Sequence, residues 1–393
     1  MQLTNPYRIY SDLGLLGAGV TIIFYLMLSP IINTIEEQAE NNLDIVYTAN
    51  HFNSNFKHYD DQVKLASTMR LARDGTIYGK FVTKDHDDKI YPNTLQEISV
   101  AFLFAPFVWA ADTTDAPYYA LALTVAATYI LLFCLTKIWT NNIVMAFFMP
   151  FIVILGYTYF SFSADYWGYV LSPFRLWTYV QSNTTQMEGE LNSFYRVHTM
   201  GGSYWLFLIF FYQVYILIDK QELTKHGAVW LALTTALMFY TYTFYSIVAG
   251  FLLLITFIHF SFENFFSSAD RKHLLVRLFL SGVVALVIAL PSIFETLSLV
   301  LSDSNRDWYG RINGVVSDEV YVFPQTVGLM VFAIALLFLS PNKSFRLTGI
   351  SLALITLIIE NLDFLIGHNL QPGHVYMRVT LPIMLTMVMV LAY

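Results

Sequence analysis

The sequence predicts an all-α membrane protein, a polytopic bundle of about ten transmembrane helices with a large first extracytoplasmic loop. Three observations predict it. Hydrophobic residues make up 56% of the chain and charged residues only 12%, with a mean hydropathy of +0.54, against about 25% charge in average soluble chains. Apolar runs long enough to cross a bilayer core as helix, about 20 residues, recur along the chain. Residues 36–112 form a large polar first loop, and the loops assigned to the cytoplasmic side are short. The whole chain, 1–393, reads as one transmembrane domain, with 36–112 as a first extracytoplasmic loop holding interfacial helices and 113–393 as the remaining spans and loops.

The same figures exclude other classes. Disordered chains are poor in apolar residues. Nucleic acid is not an expected partner, because 21 Lys and Arg face 28 Asp and Glu for a net charge of -7. A single cysteine, Cys134, rules out an intramolecular disulfide framework and reads as a core filler within an apolar run.

The first span is Leu13 to Ile35, an uncharged run behind Arg8. It is long for the apolar core of a signal peptide and has no small-residue cleavage pattern before Glu36, so it reads as an uncleaved span. Glu36 to Gln96 is polar and holds seven basic residues, Lys57, Lys64, Arg70, Arg73, Lys80, Lys84 and Lys89. Ile98 to Ala111 is apolar but about 14 residues long, which suits an interfacial segment. Spans follow at Pro117–Thr136, Ile143–Ser163 and Tyr204–Ile218. The uncharged stretch Gly227–Phe262 would be about 54 Å long as one helix. It therefore splits into two spans with a turn near Tyr242–Ser246. Leu278–Leu301, Phe323–Ser340, Leu347–Ile366 and Val375–Tyr393 complete the set.

Basic residues near span ends set the orientation, since cytoplasmic loops are enriched in Lys and Arg. With Ile98–Ala111 along the interface, nine fall inside: Arg8, Lys137, Lys220, Lys225, Arg271, Lys272, Arg277, Lys343 and Arg346. Five fall outside: Arg175, Arg196, Arg306, Arg311 and Arg378. A crossing Ile98–Ala111 would reverse the balance. The hairpin in Gly227–Phe262 is needed too, or one of the pairs Lys220/Lys225 and Arg271/Lys272 would face out. Only short loops then remain inside. The sequence has no P-loop, dinucleotide-binding glycine pattern or HExxH. Any chemistry is expected on the outer face of a cell membrane.

In the first outer loop, His58-Tyr59-Asp60-Asp61 precedes an amphipathic helical stretch that stops near Gly75. A carboxylate at a helix start stays ionised. That suits a general base or a metal ligand, and it equally suits a plain helix cap. Asp165 follows a span directly, beside Tyr166 and Trp167, where it completes a carboxylate set or caps the interface. Glu295, Glu360 and Asp363 lie in or near the outer ends of apolar runs. Ionisable groups at such depth tend to face a cavity or a partner, so Glu360 reads as cavity-lining and Asp363 as an interface cap. Arg306 and Arg311, with Asp307, Trp308 and Tyr309, form a polar aromatic loop, and guanidinium groups bind phosphate bidentately. His374 and Arg378 are four apart and share one face of a helix, after His368. His259 and His273 have no metal-ligand spacing and read as structural. Asn183-Thr184-Thr185 matches a glycosylation sequon.

The acidic pair after the first span, the helix with Leu and Ala, Gly75 and Tyr78 resemble the first outer loop of GT-C-type integral membrane glycosyltransferases. Protein mannosyltransferases and aminoarabinose transferases share this layout. Tyr91-Pro92-Asn93 and Ile98–Ala111 resemble the family's tyrosine-proline stretch and interface-lying helix, and residues 159–165 its second outer loop. The likeness covers roughly residues 8 to 175. It departs from the pattern at Asp61, where the family usually has Glu, and at Tyr393, beyond which family members often continue. The latter implies a short member or a fragment.

The resemblance implies an enzyme that transfers a sugar from a polyprenyl-phosphate donor to a lipid, glycan or protein acceptor, with inversion. Asp60 or Asp61 would be the base and Asp165 a further catalytic acid. Asp61 with Asp165 is the pair that would hold a divalent metal ion, should one take part. Arg306, Arg311, Glu360, His368, His374 and Arg378 would bind substrate, Arg378 anchoring the donor phosphate. Two alternatives stand beside it: a polysaccharide polymerase or ligase that depends on the later arginines, and a non-enzymatic glycolipid transporter.

Overall fold

Backbone groups in an apolar setting must pair within their own segment, and helix is the way a single stretch of chain achieves this. In the computed structural model the described residues are 11–25, 116–156, 200–241, 243–266, 271–301, 324–360, 385–386 and 388–390. They are almost all helical, with no strand among them. The helices are α1 (Ser11–Tyr25), α2 (Ala116–Thr140), α3 (Ile143–Gly156), α4 (Met200–Lys220), α5 (Lys225–Thr241), α6 (Thr243–Phe266), α7 (Lys272–Leu301), α8 (Pro324–Phe338) and α9 (Lys343–Glu360). Residues 385–386 and 388–390 are also helical. Ala122–Thr140, Tyr245–Phe265 and Lys272–Phe294 are long and apolar enough to cross a membrane. The expected interfacial segment Ile98–Ala111 and the first-loop helix lie outside the described residues.

Short polar turns separate several helices, and their residues explain where each helix stops. α2 ends before Asn141, which takes a left-handed φ of 48°. Asn142 then caps α3, its Oδ1 accepting from the N–H groups of Val144 at 2.9 Å and Met145 at 3.3 Å. Gln221 takes φ 53° after α4, and Thr224 Oγ1 caps α5 by accepting from the Gly227 N–H at 3.0 Å. Asn342 caps α9 through the Phe345 N–H at 3.0 Å. Asparagine and threonine are favoured caps because a short side-chain oxygen reaches an otherwise unpaired N–H.

The chain divides into two compact units, residues 1–137 with 142–205 and residues 138–141 with 206–393. In the first, α1 runs antiparallel to α2. Lys137 Nζ lies 3.4 Å from Asp12 Oδ2, and Gly19 sits so close to the Tyr129 ring that no Cβ would fit there. α3 folds back along α2, with the buried Tyr129 donating its hydroxyl to the Phe147 carbonyl at 3.0 Å and its ring tilted against that of Phe151, centroids 5.0 Å apart. Cys134, expected as a core filler, is exposed on α2. An apolar run does not distinguish an inward from an outward face when the outward face is apolar too.

In the second unit, the long apolar stretch is shared between two helices, α5 ending at Thr241 and α6 beginning at Thr243, inside the expected turn Tyr242–Ser246. α5 and α6 are about 26 Å and 36 Å long, yet the Arg271 guanidinium beyond α6 donates to the Gln221 side chain before α5. The two helices are therefore antiparallel. α7 then runs parallel to α5. Arg277 Nη1 donates to the Leu223 carbonyl at 2.6 Å, Ser281 Oγ to Ala228 at 3.0 Å and Ser292 Oγ to Phe239 at 2.8 Å. Side chains as short as serine reach these carbonyls because small residues recur every fourth position at the contact. They are Ala228, Ala232 and Ala236 on α5, and Ser281, Ala285 and Ala289 on α7. Such spacing lets helix backbones approach closely.

Pro291 lies inside α7 and has no N–H for the Val287 carbonyl. The Tyr240 hydroxyl donates to the adjoining Ile288 carbonyl at 2.7 Å, tying α5 to α7 beside the proline. Tyr240→Phe keeps the ring and removes that donor. It is expected to cost about 1 kcal/mol, read as a lower thermal midpoint of the purified chain. An unchanged midpoint would show that this bond between α5 and α7 adds nothing to stability.

α8 and α9 form an antiparallel hairpin in which a Cβ at Gly349 would lie 2.8 Å from Leu337. α4 antiparallels α5, with Thr234 Oγ1 donating to Gln213 Oε1 at 2.9 Å. Trp139, from the short piece 138–141, packs edge-on against Phe211, Tyr215 and Phe345. These contacts gather the turns 138–141, 221–224 and 339–342 and the α6–α7 connection at one end of the second unit. Seven cations lie there: Lys220, Lys225, Arg271, Lys272, Arg277, Lys343 and Arg346. Leu301 of α7, Pro324 of α8 and Glu360 of α9 mark the opposite end.

Candidate functional site

Of the acids, arginines and histidines proposed for the site, Glu360 is the one whose backbone is described, at the end of the described part of α9. Asp60, Asp61, Asp165, Arg306, Arg311, Asp363, His368, His374 and Arg378 lie outside the described residues. The helices around them still carry information. In the first unit, the segments 26–115 and 157–199, which hold the three aspartates, follow the ends of α1 and α3 and the former leads into the start of α2. Those helix ends are opposite the Lys137–Asp12 pair. In the second unit, the segments 302–323 and 361–384, which hold the candidate arginines and histidines, follow the ends of α7 and α9 opposite the seven cations. Within each unit the candidate residues thus follow helix ends that lie away from the described cations.

Glu295 belongs to α7, one turn beyond Pro291.

The structure does assemble one cluster of ionised side chains, at the basic end. Glu263, near the end of α6, is contacted by three neighbours. His259 Nε2 lies 3.4 Å away one turn earlier, Arg271 Nε lies 3.3 Å away, and Lys343 Nζ donates to Oε1. Arg271 is held in turn by Gln221, by the Phe260 ring 5.6 Å below its guanidinium, and by its own N–H to Asn264 Oδ1 at 3.0 Å. Glu263 and Arg271 are mostly covered, at 18% and 16% side-chain exposure, whereas Lys343 is 58% exposed.

A carboxylate surrounded in this way is a poor general base, because its lone pairs already face cations. Its chemistry is that of a clasp. It ties the end of α6 to the starts of α7 and α9, and Arg271 adds the α4–α5 turn. Sequence reasoning passed over Glu263 and treated Arg271 and Lys343 only as orientation signals. The available signal was an acid four residues after His259 and eight before Arg271, beside a connection rich in basic residues. Among the described residues no group of three or more His, Cys, Asp or Glu side chains could hold a metal ion, and the pair Asp61/Asp165 lies outside them. No protein-family model matches the chain, and no curated protein matches it.

Proposed function

We propose that this chain is a multi-pass membrane enzyme that transfers a sugar from a polyprenyl-phosphate donor to an acceptor at the extracytoplasmic face. The observation that carries the proposal is the first-loop pattern His58-Tyr59-Asp60-Asp61 with Gly75, Tyr91-Pro92 and the short apolar Ile98–Ala111, which resembles GT-C-type glycosyltransferases. Membrane residence is supported by the inverted surface of α7. It exposes Val276, Phe279, Leu280, Val287 and Phe294 and buries Ser281, Ala285 and Ser292. In water the large apolar side chains would be the buried ones. Orientation is supported by the seven cations at one end of the second unit, which the positive-inside tendency assigns to the cytoplasm.

In this reading the acceptor hydroxyl gives its proton to Asp60 or Asp61. Its oxygen bonds to the anomeric carbon as the bond from that carbon to the phosphate oxygen breaks. The electron pair leaves with the lipid phosphate, and one displacement inverts the centre. Arg306, Arg311 and Arg378 are the cations available to steady the departing phosphate, the usual role of fixed positive charge in such transition states. Asp165, Glu360, His368 and His374 complete the polar groups of the outer segments. A transporter would need polar groups through the membrane depth. Among the described residues the buried polar side chains are serines and threonines, many bonded to their own helices.

The test uses sealed vesicles of the full chain in a Cys134→Ala background with a single cysteine at position 220. Transfer, read as release of polyprenyl phosphate from a panel of polyprenyl-phosphate sugars, is expected when donor and acceptor are supplied to the face opposite the labelled cysteine. Donor consumption on the labelled face, or no consumption of any donor, would overturn the proposal.

A further inference from the structure

We infer that the basic end of the α5–α7 pair is a binding surface for anionic phospholipid headgroups, an inference that rests on the membrane-spanning reading above. The charge is strongly segregated. The chain carries a net charge of -7, yet this end holds seven cations against three described carboxylates, Asp219, Glu222 and Glu263. Glu263 is already occupied by Arg271 and Lys343. Lys220, Lys225 and Lys272 stay exposed. α5 and α7 are parallel and in close contact, and the register set by Ser281 beside Ala228 and Ser292 beside Phe239 puts Lys225 level with the first turns of α7, with Lys272 about six residues, roughly 9 Å, further out at the same end.

An exposed apolar rim adjoins these lysines. On α5, Val229 and Trp230 are 59% and 62% exposed, and on α7, Val276 and Phe279 are 55% and 60% exposed. They follow their lysines by four to seven residues, about 6–10 Å along the helix. A free anion would use the cations and leave the rim in water. A phospholipid uses both, its headgroup at the lysines and its acyl chains along the rim. An indole at this level is typical of a membrane interface, and basic residues beside an anionic leaflet attract its headgroups.

The test is native mass spectrometry of the full chain released from mixed micelles of phosphatidylglycerol and phosphatidylcholine. Wild-type protein is expected to retain phosphatidylglycerol preferentially, and the double variant Lys225→Gln/Lys272→Gln to lose that preference by about tenfold. Raising the salt concentration is expected to weaken it in the wild type, which tests the inference without any variant. Millimolar inorganic phosphate should leave retention unchanged. Displacement by phosphate would mean a free-anion surface and would overturn the inference. So would equal retention of the two lipids, or a preference that survives both the substitutions and salt. Protein that fails to enter vesicles of phosphatidylcholine alone would overturn the membrane-spanning reading and this inference with it.

Discussion

Replacing Glu263 with glutamine is expected to lower the thermal midpoint of the purified chain more than any other single change at the basic end. The wild-type carboxylate offsets Arg271, Lys343 and, when it is protonated, His259. Glutamine is nearly the same size, so packing is preserved and only the charge is lost. The remaining cations then repel one another across three helix ends. A fully exposed pair contributes about 0–1 kcal/mol and breaking a buried one costs about 3–5 kcal/mol. With Lys343 open to solvent and Arg271 covered, roughly 2 kcal/mol is expected, between those limits. The companion measurement is a double-mutant cycle with Lys343→Gln. Removing both charges should cost less than the two single losses together, by about 0.5 kcal/mol or more. Strict additivity would mean that the two residues touch without coupling and that the clasp is not electrostatic.

That clasp also marks how far the sequence could be read. Helix positions were legible because span length and apolar runs are local properties. The split of Gly227–Phe262 followed from length and from the placement of the flanking cations, and the second helix begins at Thr243, inside the expected turn. The gathering of Lys220, Arg271 and Lys343 at one end of the second unit was legible from charge, since an up-and-down chain brings alternate turns together. The pairing of neighbours was not. Nothing local says that α7 returns beside α5 in parallel, although the four-residue spacing of Ala228, Ala232 and Ala236 and of Ser281, Ala285 and Ala289 is visible in the sequence. Small residues at that spacing become a signal only when a second matching set is sought. Cys134 was misplaced for a related reason. In water, an apolar run has one hidden face, but a helix with an apolar outer surface has two faces of similar composition. Glu263 was missed because its partners lie 8 and 80 residues away in sequence. The candidate acids and arginines were singled out by chemistry and resemblance, and these describe side chains that the described helices bracket without containing.

Replacing Asp60 and Asp61 separately with asparagine is expected to abolish transfer at one of the two positions while leaving the fold intact. The choice of asparagine separates the two roles the pair could play. As a helix cap, aspartate is worth about 1 kcal/mol and asparagine serves nearly as well, so a capping role predicts almost no effect on stability or activity. As a general base, the carboxylate must accept a proton from the acceptor hydroxyl, and an amide does not. General-base catalysis typically contributes about 10²–10⁴ in rate, and the loss should fall on turnover more than on apparent donor affinity, because the proton moves in the transition state. The neighbouring aspartate, with its charge retained but its geometry wrong, should restore little of it. Asp61→Glu offers a further discrimination, since glutamate is the residue usually found there in the enzymes this loop resembles. If Asp61 is the base, Glu should retain substantial activity where Asn retains none, and Asp60→Asn should be mild. If Asp60 is the base, the pattern reverses. The measurement is release of polyprenyl phosphate by each variant in vesicles, at matched protein levels and with the thermal midpoint recorded alongside. Full turnover in both single variants and in the double variant would remove the carboxylates from the chemistry and leave the pair as a cap at the start of a loop helix.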